Sequence, residues 1–140
     1  YVADFFFTTC PDICPIMTEN MGYLQSELKN QTDVLLVSFS VTPNVDSVDV
    51  LRSYADLKKV DDAKWNLFTG SKKEIYELAR KSFLVAKNDG DGGKYDMIHT
   101  ENFVLVDKES RIRGFYDGTN EDEMKKLLVD ITILKQSYLD

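Results

Sequence analysis

Two cysteines and one histidine are the residues of this chain whose types and spacing could do chemistry. Cys10 and Cys14 lie in the run FTTCPDICP at residues 7–15, and His99, the only histidine, follows far downstream. Residues four apart lie on the same face of a helix, so both sulfurs can point at one object. The pattern predicts either a site for a soft metal ion or a redox-active thiol pair.

Copper is the metal that this set of side chains favours. Cu(I) is soft and accepts two thiolates and an imidazole, whereas structural zinc normally has four ligands. The chain offers only two cysteines and one histidine. A carboxylate or a water molecule could complete a zinc site, so zinc stays an alternative at this point.

The local sequence acts on the two thiols in opposite directions. A helix that begins near Cys10 to Pro15 would favour the thiolate form through its free N–H groups and its dipole. Asp12 lies between the two cysteines and disfavours a second negative charge beside it. The spacing leaves the balance between these effects open.

The elements that must position these residues alternate between short apolar strands and amphipathic helices, which predicts a sheet with helices on its faces. A strand is expected at residues 1–7. In the helix that follows, Pro15 fits in the first turn, where its missing N–H costs nothing, so both cysteines would lie at a helix N-terminus. Helical spacing predicts that its apolar face buries Met17, Met21, Leu24 and Leu28. The two methionines are therefore interpreted as core residues rather than as copper ligands.

The middle of the chain predicts two more strands and two more helices. Residues 34–41 form a continuous apolar run of the kind found inside a parallel sheet. A helix should extend from about Asp46 to Lys59 and bury Val48, Leu51 and Ala55. After a short strand at 65–69, the capping box of Ser71 and Glu74 should open a helix. That helix would carry Ile75, Leu78, Ala79 and Phe83.

The last third of the chain leads into and away from His99. Glycines and charged residues between Lys87 and Lys94 are typical of an exposed loop. Residues 102–107 and 111–116 predict an antiparallel hairpin with its turn at 108–110. A final helix, capped by Thr119 or Asn120, should carry Leu127, Ile131, Leu134 and Tyr138.

Length and charge restrict the class of protein. At 140 residues, the chain is expected to be one domain spanning 1–140 with a core of its own. Seventeen Lys and Arg against 24 Asp and Glu give a net charge of -7, which argues against nucleic acid as a partner. No run of eighteen or more apolar residues and no signal-peptide pattern is present. Because the chain opens directly in a strand, we expect that an N-terminal piece, with any anchor, is missing.

The order of these elements is that of a thioredoxin-like fold, an α/β architecture in which helices flank a central mixed sheet. Within that fold the chain closely resembles the Sco (SenC) family. The resemblance rests on TxCPDxCP at 8–15, SVxP at 40–43, LxTG at 67–70, and a histidine shortly before a strand that ends in Val106 and Asp107. It covers nearly the whole chain, without the lead-in segment that the family has ahead of Tyr1.

The resemblance implies a membrane-tethered copper chaperone rather than an enzyme. Such proteins help to assemble the copper site of cytochrome c oxidase, so the expected partner is a copper-accepting oxidase subunit or another copper carrier. The expected ligands of one copper ion, as Cu(I) or Cu(II), are Cys10, Cys14 and His99. The chain is expected to be a monomer on the outer, periplasmic face of a bacterial inner membrane, or on the equivalent mitochondrial side.

The role of His99 depends on the fold. In a thioredoxin-like domain, the loop that enters the strand at 102–106 faces the start of the cysteine helix, where classical thioredoxins place a cis-proline. No proline follows Pro43 in this chain. A histidine in that loop could therefore reach the sulfurs.

Two other functions remain open. The same thiols could reduce the cysteines of an acceptor as a dithiol–disulfide oxidoreductase. A peroxidase of the peroxiredoxin or glutathione peroxidase kind ranks third, because no arginine follows the cysteines until Arg52. Thr42 and Ile98 depart from the family pattern, which often has aspartate at both positions.

Overall fold

The computed structural model describes residues 1–8, 13–83 and 100–138, apart from the side chains of Ile13 and Cys14. The predicted loop at 87–94 lies outside these ranges. Within these ranges, five strands and four α-helices, with one π-helical segment, follow each other. They are β1 (Val2–Phe6), α1 (Ile13–Glu27), β2 (Leu36–Ser40), α2 (Val48–Leu57), β3 (Trp65–Phe68), α3 (Lys72–Glu77), the π-helical segment (Leu78–Ser82), β4 (Asn102–Val106), β5 (Ile112–Asp117) and α4 (Glu121–Ser137).

The five strands form one mixed sheet in the order β3-β2-β1-β4-β5. β1 pairs with β2 in parallel, and β2 pairs with β3 in parallel. β4 pairs antiparallel with both β1 and β5. The prediction of a central mixed sheet is confirmed, and β1, the strand that leads to the cysteines, is its middle strand.

Helices cover both faces of the sheet, and each face has its own core. All five residues of β1 are buried, as expected for a strand covered on both sides. On one face Val2 packs against residues of α1 and α4, and on the other Ala3 and Phe5 pack against α3 and the π-helical segment. The predicted apolar face of α1 is confirmed, since Met17, Met21, Leu24 and Leu28 are all buried.

The start of α2 differs from the prediction. The helix begins at Val48 rather than at Asp46, and the Ser47 hydroxyl caps it by accepting a hydrogen bond from the Val50 N–H at 3.3 Å. Asp46 is instead buried in the preceding loop. Val48 is therefore the first helical residue, lies outside the core and is 73% exposed, so the prediction that it is buried is wrong. Leu51 and Ala55 are buried as predicted.

The helix opened by Ser71 is not a single regular α-helix. The Ser71 hydroxyl accepts a hydrogen bond from the Glu74 N–H, as the capping pattern predicts. After Glu77 the chain widens into a π-helical turn, in which the Phe83 N–H donates to the Leu78 carbonyl at 2.7 Å. Ile75, Ala79 and Phe83 are still buried on one side.

The C-terminal hairpin and helix agree closely with the prediction. Asn120, rather than Thr119, caps α4. Its side chain accepts hydrogen bonds from the backbone N–H groups of Asp122 and Glu123. Leu127 and Ile131 are buried. Leu134 is half-buried, and Tyr138 is an exception at 36% exposed. Within the described ranges, no helix is long and apolar enough to cross a membrane.

Candidate metal centre

The structure describes the predicted ligands only in part. Cys14 is the second residue of α1, so it lies in the first turn of that helix together with Pro15, as predicted. Cys10 and His99 fall outside the described residues. The elements that flank them nevertheless fix where their chain segments leave and enter the sheet.

Strand register places the two strand ends that adjoin these segments at the same edge of the sheet. Val2 is opposite Leu105 and Ala3 is opposite Val104 in the antiparallel pair of β1 and β4. Continued along the strands, this register brings the carboxyl end of β1 beside the amino end of β4. The cysteine segment departs from the first of these ends, and the segment with His99 arrives at the second.

A buried aspartate at this edge is a candidate functional residue that sequence reasoning missed. Asp46 is 0% exposed and lies in the loop after β2, whose carboxyl end is beside that of β1. Its carboxylate accepts hydrogen bonds from the Ser40 hydroxyl at 2.7 Å and from the Thr42 hydroxyl at 3.0 Å. It also accepts from the Thr8 backbone N–H at 3.2 Å and from the Thr8 hydroxyl.

The loop that holds Asp46 is itself closed by hydrogen bonds. The Thr42 carbonyl accepts from the Val45 N–H at 2.9 Å and from the Asp46 N–H at 2.8 Å, and the Thr42 N–H donates to the Ser40 hydroxyl at 3.1 Å. Thr42, one of the two departures from the family pattern, is thus part of the Asp46 network. The local sequence did not mark this network, because the burial of Asp46 and its hydrogen bond from Thr8, 38 residues earlier, arise only in the folded chain.

A second buried carboxyl group lies in the strand that leads to the cysteines. Asp4 is in the middle of β1, opposite Ser38 of β2. The Ser38 hydroxyl donates to the Asp4 carboxyl and accepts from the Trp65 indole N–H at 3.0 Å. Burial raises the pKa of Asp4 to about 7, while the hydrogen bond from Ser38 acts in the lowering direction.

Two predictions about metal ligands can be checked directly. Met17 and Met21 are completely buried in the core, so their interpretation as core residues is confirmed. Among the described residues, no group of three or more His, Cys, Asp or Glu side chains is arranged to hold a metal ion. The ligand set of Cys10, Cys14 and His99 stays a prediction.

Comparison with known proteins decides the family. The model of the SCO1/SenC family matches residues 1–132. This chain belongs to the SCO1/SenC family. Among its relatives, the Sco chain is 36% identical over 135 residues to the SCO1 protein homolog of Bacillus subtilis. The match covers 94% of the chain and 68% of that protein. A SCO2-like protein of Rickettsia typhi is 30% identical, with 89% of the chain and 62% of that protein covered.

Solved Sco structures share the fold. A SCO1/SenC family lipoprotein from Bacillus anthracis matches with a TM-score of 0.79 and 33% identity, over 96% of this chain and 80% of that one. BsSco matches with a TM-score of 0.76 and 34% identity, over 94% of this chain and 77% of that one. It is described as having a disulfide switch and as a member of the Sco family of cytochrome c oxidase assembly proteins. Copper-bound ScoI of Arabidopsis thaliana matches with a TM-score of 0.69 and 25% identity, over 94% of this chain and 82% of that one. The predicted thioredoxin-like Sco fold is confirmed.

Proposed function

We propose that this Sco domain is a copper metallochaperone. It binds one copper ion through Cys10, Cys14 and His99 and delivers the ion during assembly of the copper site of cytochrome c oxidase. The observation that supports the proposal is the pairing of β1 with β4, because the carboxyl end of β1, which precedes Cys10 in the chain, lies beside the amino end of β4, which follows His99. Cys14 in the first turn of α1 fits the same arrangement.

The chemistry of these side chains suits copper as a cargo. Thiolates are soft ligands that select Cu(I), and imidazole is a common copper ligand. The start of α1 favours negative charge on a sulfur beside it. The copper-bound state of the Arabidopsis relative supports the assignment, as does the name of a 27% identical relative from Stutzerimonas stutzeri, a putative copper-binding protein.

Delivery is proposed to occur by ligand exchange. An acceptor supplies its own soft ligands to the bound ion, and the sulfurs and the imidazole of this chain are released one after another. If the ion is carried as Cu(I) and accepted as Cu(I), no electron has to move. A three-ligand site is suited to this step, because an incoming ligand can bind before an original ligand leaves.

Dithiol–disulfide exchange is the second candidate function. In this reaction Cys10 and Cys14 lose two electrons and two protons and form one disulfide, while an acceptor disulfide becomes two thiols. The disulfide switch described for BsSco favours this alternative. It uses the same two sulfurs but does not need His99, which allows the two functions to be separated by substitution.

The structure also bears on the third candidate, the peroxidase. Such an enzyme needs an arginine, or a glutamine–tryptophan pair, around its reactive cysteine. Arg52, the first arginine after the cysteines, lies on α2 and pairs with Asp56 at 2.9 Å and with Asp62 at 2.8 Å. Its guanidinium group is thus engaged on the surface of α2, and the peroxidase remains the least supported function.

The remaining expectations are proposals as well. We infer that residues 1–140 form one domain, and that it acts as a monomer with an oxidase subunit or a copper carrier as its partner. We place it on the outer face of a bacterial inner membrane or on the equivalent mitochondrial side. A bacterial lipoprotein and a mitochondrial Arabidopsis protein among the relatives support this location.

The test is an anaerobic titration of the reduced protein with Cu(I) against a competing chelator. We expect one copper ion per chain. We expect His99→Ala to weaken copper binding by more than about 10-fold, because loss of a residue that only hydrogen-bonds a metal ligand already lowers metal affinity by about 10- to 100-fold. Lys125→Ala, on the exposed side of α4, is the control and should bind as the wild type does. Unchanged copper affinity in His99→Ala would contradict the three-ligand site.

A further inference from the structure

We propose that Asp46 is a positioning residue for the cysteine segment. It acts through Thr8, which is the last described residue before that segment, and holds the point at which the chain leaves β1 towards Cys10. This inference rests on the proposed function, because it names a residue that orients the proposed copper ligands.

The contacts of Asp46 tie two chain segments together. Thr8 belongs to the exit from β1, and it gives Asp46 both its backbone N–H, at 3.2 Å, and its hydroxyl. Ser40 and Thr42 belong to the exit from β2, and each gives a hydroxyl. One carboxylate therefore joins the ends of two neighbouring parallel strands at the edge where the cysteines follow.

The double hydrogen bond from Thr8 fixes direction as well as position. A single hydrogen bond would allow the backbone to rotate about it. Two bonds from the N–H and the hydroxyl of the same residue, accepted by the two oxygens of one carboxylate, restrict that rotation. Because Cys10 is only two residues further on, the orientation of Thr8 limits the directions in which the cysteine segment can continue.

Burial makes this restraint strong. Asp46 is completely buried and Thr8 is half-buried. Among the described residues, the hydrogen-bond partners of Asp46 are hydroxyl and amide groups, and no lysine or arginine pairs with its carboxylate. A hydrogen-bond partner lost in a buried site is not replaced by water, so each of these bonds is costly to break.

Asp46→Asn is the first test. The amide keeps one acceptor oxygen and replaces the other oxygen by an NH2 group, which is a donor. This NH2 group would face the N–H or hydroxyl donors that now bond the Asp46 oxygens. We expect a Cu(I) affinity about 10- to 100-fold lower, the range found for partners that orient metal ligands. We also expect a shifted reduction potential of the Cys10–Cys14 pair, measured by equilibration with glutathione buffers.

Ser38→Ala is the matched control. Ser38 lies on the same strand as Ser40, is also buried, and also donates its hydroxyl to a buried aspartate, Asp4. Its loss should lower the stability of the fold, while copper affinity and reduction potential stay at the wild-type values. Equal changes in Asp46→Asn and Ser38→Ala would reduce Asp46 to a general structural role and overturn the proposal.

Thr8→Val keeps the test decisive if Asp46→Asn does not fold. This substitution preserves the branched shape of the side chain and removes only the hydroxyl bond to Asp46. It should shift the reduction potential and the copper affinity in the same direction as Asp46→Asn does, but by a smaller amount. A Thr8→Val protein with wild-type values of both would refute the positioning role.

The two proposals fail in different ways. If the wild-type protein does not bind Cu(I), the proposed function fails, but the reduction potentials of the wild type, Asp46→Asn and Ser38→Ala still decide the role of Asp46. If the wild type binds Cu(I) and Asp46→Asn binds it equally well with an unchanged potential, the positioning role alone fails.

Discussion

The Ser38 hydroxyl donates a hydrogen bond to the Asp4 carboxyl group between the two central parallel strands, where the residues are register partners. The hydroxyl also accepts from the Trp65 indole N–H. A titratable group is thus enclosed in the middle of the sheet, on the strand that leads to the cysteines. Burial raises the pKa of Asp4 to about 7.

This pKa predicts a dependence of stability on pH. Because the pKa is higher in the folded chain than in the unfolded chain, the folded state binds a proton more tightly, and stability falls as pH rises from about 4 to about 7. Asp4→Asn removes this effect. Relative to the wild type, the variant should gain about 3 kcal/mol between pH 5 and pH 8, because the wild type loses stability over the two pH units below its folded pKa and one pKa unit corresponds to about 1.4 kcal/mol.

Urea unfolding of both proteins at the two pH values measures this difference. The control is Asp49→Asn, at an exposed position in the first turn of α2. Its free energy of unfolding should change between the two pH values by the same amount as that of the wild type. If the free energies of unfolding of Asp4→Asn and the wild type change in parallel with pH, the buried carboxyl group does not titrate in this range.

Oxidation of the cysteines should abolish copper binding. A disulfide between Cys10 and Cys14 uses the same sulfurs that are proposed to bind the ion. The reduced protein should bind one Cu(I), and the oxidised protein should bind none until a thiol reductant is added. Competition titrations before and after reduction make the comparison, and Cu(I) binding of equal strength in both forms would be incompatible with thiolate ligands.

Gly118→Ala should destabilise the fold strongly. A Cβ atom built at Gly118 would lie 2.6 Å from Cδ1 of Phe103 and 2.8 Å from the carbonyl oxygen of Glu101. Phe103 is fully buried and cannot move aside, so we expect a loss of about 1–3 kcal/mol, the usual cost of overpacking. Thermal and urea unfolding measure it.

Gly22→Ala is the contrasting substitution. Gly22 lies within α1, and a Cβ atom there would meet no atom within 4 Å among the described residues. Alanine should stabilise the helix by roughly 0.5–1 kcal/mol, because glycine is a poor helix former. Opposite signs for the two glycines are the expected result, and a neutral Gly118→Ala would mean that the sheet has room at β4.

Removing the cap of α4 should cost about 1 kcal/mol. The Asn120 side chain accepts from the Asp122 N–H at 2.9 Å and from the Glu123 N–H at 3.1 Å. Asn120→Ala removes both bonds, whereas Asn120→Asp keeps an acceptor and should stay within a few tenths of a kcal/mol of the wild type. Equal stability of the two variants would show that the cap contributes little.

The sequence predicted the regular elements well where periodicity carried the information. The buried face of α1 and the C-terminal hairpin follow from spacing alone, because one side of each element must be apolar. The family resemblance added the fold. Both kinds of signal are repeated along the chain, so single exceptions do not obscure them.

Single polar residues were harder to interpret. Asp46 looked like the first residue of a helix, since aspartate is common there, but its hydrogen bonds are to residues of two other segments. Val48 looked buried because it lies three residues before Leu51, yet the helix begins only at Val48. The hydrogen bond from Thr8 to Asp46 joins segments distant in sequence, and no local pattern contains such a contact.

The pairing of β1 with β4 also determines when the site can form. Val2 and Leu105 are partners in this pair, so during synthesis the chain makes both cysteines and three of its strands long before β4 exists. Until then β1 has an open edge, which is where another strand can add and start aggregation. Closing that edge is also the step that brings the amino end of β4 beside the carboxyl end of β1. We therefore expect a newly made chain to bring together its proposed copper ligands, Cys10, Cys14 and His99, only when its central strand is no longer exposed to other chains.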